Sequence, residues 1–257
     1  MPVTFLTGAS SGIGRSLARR LAADGDPLAV VARRAELLAS LVAEIEALGG
    51  RALAISCDVM DATAVARAVH QTEAQFGPVE RLVANAGGGE PTFVDRFRAA
   101  QVMETLELNV GGTAHCIEAV LPGMLERAQG HIVATGSLAA CRGLPGAAAY
   151  SAAKAALTNM IESLRVDLRD RGVDVTLILP GFVRTKDRPR RPGARPKPFQ
   201  VELEDATARM HAAIRARQAL CAFPAGLALA ARVVRLLPVG LADRMLSGRG
   251  PTPRPQT

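Results

Sequence analysis

The chain has 257 residues, of which 49% are hydrophobic, enough for the core of one large domain or two small ones. Aromatic residues make up only 3%, and none are interleaved with the basic residues as on a stacking surface for single-stranded nucleic acid. The formal net charge is +7, which can indicate an acidic partner. The excess of 28 arginines over 3 lysines is equally well explained by a genome that favours arginine codons.

The cysteines and histidines are widely spaced and suggest neither a metal site nor disulfides. Cys57, Cys116, Cys141 and Cys221 form no CxxC pair, which predicts free thiols in a reducing compartment. The longest apolar stretch, 219–231, has 13 residues and contains a proline, too short to span a bilayer. Because the N-terminus has no signal-peptide pattern, we expect a cytoplasmic protein. The spacing of the histidines and cysteines and the short apolar stretch predict that it has neither a metal site nor a membrane span.

Short apolar runs alternate with long amphipathic segments along the first 180 residues. The apolar runs predict strands at 3–6, 28–32, 52–56, 81–85, 131–135 and 173–179. The segments between them predict helices at 13–24, 35–48, 62–76, 102–128 and 150–171. This alternation is typical of βαβ units, and apolar strands fit a sheet covered on both sides. We therefore predict an α/β fold with a doubly wound parallel sheet and helices on both faces.

The chain changes character after residue 182. Segment 183–199 is rich in proline and carries seven positive charges between Arg184 and Lys197, opposed only by Asp187. It is either a solvated loop or a lid that orders over a ligand and meets an anionic group. Helical stretches are expected at roughly 201–218 and 224–237, with at most a short strand near 220–223, and then a disordered tail at 248–257.

The first strand-to-helix turn reads "TGASSGIG" at 7–14. Gly8, Gly12 and Gly14 have the spacing G-x-x-x-G-x-G, after a strand and at the start of a helix. Glycines let the backbone approach a pyrophosphate, and the helix N-terminus offers free N–H groups. The turn therefore predicts a nucleotide-phosphate site.

The sole tyrosine, Tyr150, precedes Lys154 by four residues in an alanine-rich helix. One helical turn places both side chains on the same face. A cation there favours phenolate and lowers the pKa of a phenol, which would suit proton transfer. The alternative is a packed tyrosine with a lysine that extends past it to solvent.

These motifs, taken in order, resemble the short-chain dehydrogenase/reductase family. The matching elements are "TGASSGIG" at 7–14, "CDV" at 57–59, "NAG" at 85–87, Asn109 in "NVGG", Ser137, "YSAAK" at 150–154 and "PGFVRT" at 180–185. The resemblance covers about residues 1–185. It implies a Rossmann-type oxidoreductase domain over 1–247, with a substrate loop and helices at about 182–218, that interconverts a ketone or 3-oxoacyl group and a secondary alcohol.

The resemblance also implies roles for four residues. Tyr150 would be the general acid/base, and Lys154 would tune it and hold the nicotinamide ribose. Ser137 would hydrogen-bond the substrate oxygen, and Asn109 would anchor a water relay to the lysine. An ordinary loop serine and a helix-kinking asparagine are the alternatives for the last two.

The cofactor is expected to be NADP(H). An NAD site usually has an acidic residue after the second strand, whereas this chain has Ala32, Arg33 and Arg34, and a guanidinium pairs well with a 2′-phosphate. The expected cofactor-binding residues are Gly8, Ser10, Ser11, Gly12, Ile13, Gly14, Arg33, Arg34, Asp58, Val59, Asn85, Ala86, Gly87, Tyr150, Lys154, Pro180, Gly181, Val183 and Thr185.

The C-terminus departs from many family members, which end in a strand and an Asp-Gly-Gly segment at a tetramer interface. Here an extra C-terminal helical region of two helices follows the short strand. We therefore expect a homodimer through the long helices at about 102–127 and 150–170. The alternative is a catalytically silent nucleotide sensor or scaffold on the same fold. A nucleic-acid-binding protein is suggested by charge alone, but we expect no nucleic-acid partner, because the phosphate-binding loop by itself explains a basic site.

Overall fold

The structure of the protein, a computed structural model, describes residues 1–185 and 199–247. Residues 186–198 and 248–257 lie outside the described residues. The first range contains the predicted basic lid apart from its ends, and the second is the predicted tail. Four cysteines are free thiols. None of the helices within the described ranges is both long and apolar enough to cross a membrane.

The predicted parallel sheet is present and has seven strands. They are β1 (Thr4–Thr7), β2 (Leu28–Ala32), β3 (Ala52–Ser56), β4 (Arg81–Ala84), β5 (Gly130–Thr135), β6 (Val173–Pro180) and, after two short strands, β9 (Leu220–Phe223). The short strands β7 (Val183–Arg184) and β8 (Val201–Glu202) pair with each other. The order in the large sheet is β3-β2-β1-β4-β5-β6-β9, and every neighbouring pair is parallel. The carboxyl ends of all seven strands therefore meet at one edge.

Helices cover both faces of this sheet, as predicted. They are α1 (Gly12–Ala23), α2 (Ala35–Ala47), α3 (Ala62–Phe76), α4 (Ala99–Leu106), α5 (Gly112–Glu126), α6 (Ala148–Asp167), α7 (Leu203–Arg215), α8 (Ala225–Leu236) and α9 (Val239–Leu246). Helices α1, α2 and α7 bury one aliphatic cluster, which includes Leu17, Leu21, Leu38, Leu41 and Met210. Helices α3, α5 and α6 bury another, which includes Val65, Val120, Leu157 and Ile161. The doubly wound fold is confirmed.

The sequence predicted one continuous helix at 102–128, and here the structure differs. A π-helical turn at Glu107–Gly111 separates α4 from α5. Within it, the side-chain amide of Asn109 donates to the carbonyl of Thr105 at 2.8 Å, the acceptor that the backbone amide of residue 109 would use in a regular α-helix. This side-chain competition for a backbone acceptor accompanies the interruption, and helix periodicity alone does not reveal it.

A buried polar network lies at the amino edge of the sheet, on the face covered by α1 and α7. Asp26 is fully buried and pairs with Arg81, which also donates to Thr4 Oγ1 at 3.3 Å. Next to it, His131 Nε2 lies 2.8 Å from Thr176 Oγ1. Burial and the nearby Arg81 lower the pKa of His131 to about 3, so its ring is neutral at pH 7. The charge of Asp26 therefore depends on Arg81 for compensation.

Arg81→Met would leave the Asp26 carboxyl buried without its ionic partner. We expect the free energy of unfolding, measured in urea at pH 7, to fall by about 3–5 kcal/mol. Arg217→Met is the matched control, since Arg217 pairs with Asp174 where both side chains are about half exposed, and we expect it to lose less than about 1 kcal/mol. Equal losses in the two variants would contradict this assignment.

Candidate active site

The glycine-rich turn joins β1 to α1 at the sheet edge where the strand order reverses. Gly8 and Gly12 have positive φ angles of 68° and 52°. A Cβ at Gly14 would lie 2.1 Å from the carbonyl oxygen of Gly8, and one at Gly8 would lie 2.9 Å from Ala86 Cα. The turn therefore needs glycine both for its backbone conformation and for its close packing. It presents the N-terminus of α1 at a crevice of the kind that binds nucleotides in such sheets.

Thr7 and Asn85 hold this turn against the loop that follows β4. Thr7 Oγ1 accepts from the backbone amides of Asn85 and Ala86 at 3.1 and 3.0 Å. The side chain of Asn85 donates to the carbonyl of Thr7 at 3.3 Å and accepts from Thr135 Oγ1 at 3.2 Å. The sequence prediction missed Thr7 and Thr135, and the available signal was a polar residue at the end of an otherwise apolar strand.

Arg34 lies above the glycine-rich turn. Its guanidinium donates to Ser10 Oγ at 2.8 Å and to Ser11 Oγ at 2.7 Å. Arg33 extends away, with 72% of its side chain exposed, and lies 3.8 Å from a carboxylate oxygen of Asp58. The structure thus brings the predicted cationic residue Arg34 together with the two predicted loop serines.

Asp58 and Val59 follow β3 at the same edge of the sheet. Asp58 Oδ1 accepts from the backbone amide of Met60 at 3.1 Å. The carbonyl of Val59 lies 3.0 Å from His115 Nδ1, and Gly112 is packed so closely that a Cβ there would meet Val59 Cγ2 at 2.6 Å. Helix α5 therefore fixes the loop that carries Asp58 and Val59, two of the expected cofactor-binding residues.

Ser137 and Tyr150 lie beyond the carboxyl end of β5. Ser137 caps a short 3₁₀ helix, Leu138–Ala140, because its Oγ accepts a hydrogen bond from the backbone amide of Ala139 at 3.1 Å. Tyr150 is half-buried in the first turn of α6. The Nζ atom of Lys154 lies 5.8 Å from the centroid of the tyrosine ring, as the four-residue spacing predicts.

Lys154 does not extend to solvent. Its side chain is buried, and Nζ donates to the carbonyl of Thr135 at 2.8 Å. Burial lowers the pKa of Lys154 to about 8. The ammonium is therefore still mainly protonated at pH 7, and it acts in a medium where its field is weakly screened. This arrangement excludes the alternative of a lysine passing the tyrosine to reach water.

Asn109 is buried and lies beside Lys154. Its side chain exchanges two hydrogen bonds with the backbone of Gly88, donating to the carbonyl at 2.7 Å and accepting from the amide at 3.2 Å. Gly87 leaves room for the two side chains, since a Cβ there would lie 2.6 Å from Asn109 Oδ1 and 3.2 Å from Lys154 Nζ. The "NAG" loop, Asn109 and Lys154 thus form one packed unit.

The segment after β6 completes the edge. The amide of Gly181 donates to the carbonyl of Phe223 at 2.8 Å, and a Cβ at Gly181 would meet Leu227 at 2.7 Å. Val183 pairs with Val201 in the small second sheet. Pro180 ends β6, and Gly181, Val183 and Thr185 follow it in the chain. Within 1–185 and 199–247, no cluster of three or more histidine, cysteine or acidic residues could hold a metal.

Comparison with known proteins agrees with this geometry. The family model for short chain dehydrogenases matches residues 2–192. An uncharacterized oxidoreductase of Myxococcus xanthus is 42% identical over 239 residues, covering 93% of this chain and 94% of the relative. A 3-oxoacyl-[acyl-carrier-protein] reductase of Synechocystis is 36% identical over 184 residues, covering 71% of this chain and 74% of the relative.

Solved structures with the same fold contain different cofactors. A 7α-hydroxysteroid dehydrogenase complexed with NADH and 7-oxoglycochenodeoxycholic acid aligns with a TM-score of 0.80 at 26% identity, covering 88% of this chain and 93% of that one. An alcohol dehydrogenase of Thermococcus sibiricus complexed with 5-hydroxy-NADP aligns with a TM-score of 0.73 at 26% identity, covering 84% and 91%. By its family model, its sequence relatives and its fold, the chain belongs to the short-chain dehydrogenase family of nicotinamide-dependent oxidoreductases that act on CH–OH and keto groups.

Proposed function

We propose that the protein is an NADP(H)-dependent carbonyl reductase that interconverts a ketone or 3-oxoacyl group and a secondary alcohol. The observation that carries this proposal is the buried ammonium of Lys154 beside the ring of Tyr150, with Ser137 at the neighbouring strand end. The relatives named as 3-oxoacyl reductase and hydroxysteroid dehydrogenase support a carbonyl or alcohol substrate.

The catalytic step needs a proton donor and a stabilised substrate oxygen. NADPH, when bound, supplies the hydride. Tyr150 gives its phenolic proton to the substrate oxygen, and the ammonium of Lys154 stabilises the phenolate that remains. In the oxidative direction the phenolate takes the proton back.

Ser137 is poised to donate rather than accept. Its Oγ already accepts from the amide of Ala139, and the bond that it donates to the carbonyl of Pro180 is 3.5 Å long, at the limit of a hydrogen bond. Its proton can therefore turn to a substrate oxygen as negative charge develops there. We assign Asn109 to holding the "NAG" loop against Lys154 and, by the family resemblance, to anchoring a water relay.

Tyr150→Phe tests the chemistry, because it removes the phenolic proton and keeps the ring. We expect the variant to reduce a panel of ketones more slowly by a factor of about 10² to 10⁴, measured by the loss of NADPH absorbance. NADPH binding, measured by NADPH fluorescence, should persist. A variant that reduces ketones at the wild-type rate would refute the role of Tyr150. A wild-type protein that binds NADPH but reduces no ketone, 3-oxoacyl thioester or steroid would favour the silent sensor.

The preference for NADP(H) rests on Arg34, Ser10 and Ser11. A guanidinium and two hydroxyls converge beside the glycine-rich turn, without an acidic side chain directly after β2. A 2′-phosphate can accept from all three groups, and charged hydrogen bonds of this kind are strong. The side chain of Arg33 is 72% exposed and lies 3.8 Å from a carboxylate oxygen of Asp58, so we assign it the smaller share.

Titration of NADPH and NADH into the wild type and three variants tests this preference. We expect the wild type to favour NADPH by about 1.5–3 kcal/mol, Arg34→Ala to lose most of that difference, and Arg33→Asp to reverse part of it. Arg169→Ala, at an exposed position after α6, is the control and should change neither affinity. Equal affinities of the wild type for the two cofactors would overturn the assignment.

We further propose a homodimer through the α4–α6 face. Met103 on α4 and Val166 on α6 are 64% and 70% exposed, which suits burial against a second copy. Light scattering should give the wild type twice the 26.9 kDa mass of the chain, and Val166→Glu should shift it to a monomer. Leu229→Glu, on the exposed face of α8, should leave the dimer intact; dissociation by this variant alone would place the interface on α8 instead.

A further inference from the structure

The segment from Gly87 to Thr92, here called the strap, runs along the first turn of the helix that carries Tyr150. It begins in the "NAG" loop and ends at a buried threonine, since Thr92 is only 3% exposed. Between these ends, Gly89 packs on the catalytic tyrosine, and a Cβ there would lie 3.3 Å from Tyr150 Cδ2. The strap therefore connects the predicted cofactor loop to the predicted proton donor.

Helix α6 has no cap of its own. Its N-cap residue is Ala147, whose side chain cannot accept a hydrogen bond from the first turn. Thr92 supplies that acceptor from 57 positions away in the sequence: its Oγ1 accepts from the backbone amide of Ala149 at 3.2 Å. Its own backbone amide donates to the carbonyl of Gly146 at 2.9 Å. Thr92 thus binds the chain on both sides of the helix start, directly before Tyr150.

The strap is also hydrogen-bonded at Gly88, Glu90 and Pro91, so its position does not depend on α6 alone. Asn109 holds both backbone groups of Gly88. The side chain of Gln101, on α4, donates to the carbonyls of Glu90 and Pro91 at 3.3 and 3.1 Å. A movement of the first turn of α6 away from the strap would therefore break the bonds of Thr92 without a compensating shift of the strap.

We propose that Thr92 is a positioning residue that sets the place of Tyr150 relative to Lys154 and the cofactor loop by capping α6 from outside the helix. The proposal rests on the proposed reductase function, because it assigns to Thr92 the alignment of that proton donor. Proton transfer depends steeply on donor geometry, so a loosened first turn lowers turnover even though Thr92 contacts neither substrate nor the reacting atoms.

The test compares Thr92→Val, which keeps the shape and removes the hydroxyl, with Thr92→Ser, which keeps the hydroxyl. We expect Thr92→Val to lower kcat by a factor of about 10 to 100, with NADPH affinity unchanged, and Thr92→Ser to restore most of kcat. Hydrogen exchange of the peptide spanning residues 144–151 should quicken in Thr92→Val and not in Thr92→Ser. Thr158→Val is the matched control, because the buried hydroxyl of Thr158, also on α6, has no hydrogen-bond partner among the described residues; it should leave kcat and exchange unchanged.

Wild-type kcat in Thr92→Val, or a loss of kcat that Thr92→Ser does not restore, would overturn the proposal. If Thr92→Val does not fold, Thr92→Ala takes its place with the same expectations. The exchange measurement separates this proposal from the proposed function. A wild-type protein without reductase activity refutes the function, whereas unchanged exchange in Thr92→Val refutes the cap whatever the activity.

Discussion

The buried ammonium of Lys154 is the constraint on which the arrangement of the site depends. A charged amine is costly to remove from water, and this one is held by the carbonyl of Thr135 at the end of β5. The lysine reaches this carbonyl because its turn of α6 lies near the end of β5, and Gly87 leaves room for it beside Asn109. Its burial lowers its own pKa to about 8, and it leaves the charge effective at neutral pH next to the ring of Tyr150.

The two edges of the sheet use polar groups for different purposes. At the amino edge, Asp26 and Arg81 neutralise each other in the interior beneath α1 and α7. At the carboxyl edge, hydrogen bonds of Thr7 and Asn85 fix the loops around a crevice. The N-terminus of α1 and the ammonium of Lys154 lie at this crevice. Parallel strands make this division possible, because all seven carboxyl ends meet at the same edge. We expect the first network to contribute to stability, and we propose that the second surrounds cofactor and substrate.

The local sequence pattern predicted the strands and the glycine-rich turn correctly, because there the residue types themselves restrict the backbone conformation. Each of the six predicted strands in residues 1–185 was found with ends that differ by at most one residue, because apolar runs bounded by glycine, proline and polar residues leave little choice. The glycine-rich turn was also predictable, since positive φ angles and close backbone packing require glycine. The pairing of Tyr150 with Lys154 followed from helical geometry alone.

What the sequence did not predict are contacts between segments far apart in the chain. Three examples are the cap that Thr92 gives to α6, the bonds of Thr7 to Asn85 and Ala86, and the bond of Asn109 to Gly88. Each joins a side chain to a backbone group far away in the chain. No periodicity or local motif records such a bond, because its geometry exists only after the sheet has formed. The same holds for Arg34, whose contacts with Ser10 and Ser11 depend on β1 and β2 being neighbours.

We propose that the charge of Lys154 controls the ionisation of Tyr150, and the composition of this chain allows a direct measurement. Tyr150 is the only tyrosine and the chain has no tryptophan, so near-ultraviolet absorbance of tyrosinate reports one residue. In a pH titration, tyrosinate should form at lower pH in the wild type than in a Lys154→Met variant that retains the fold. Coincident titration curves for the two proteins would contradict the account.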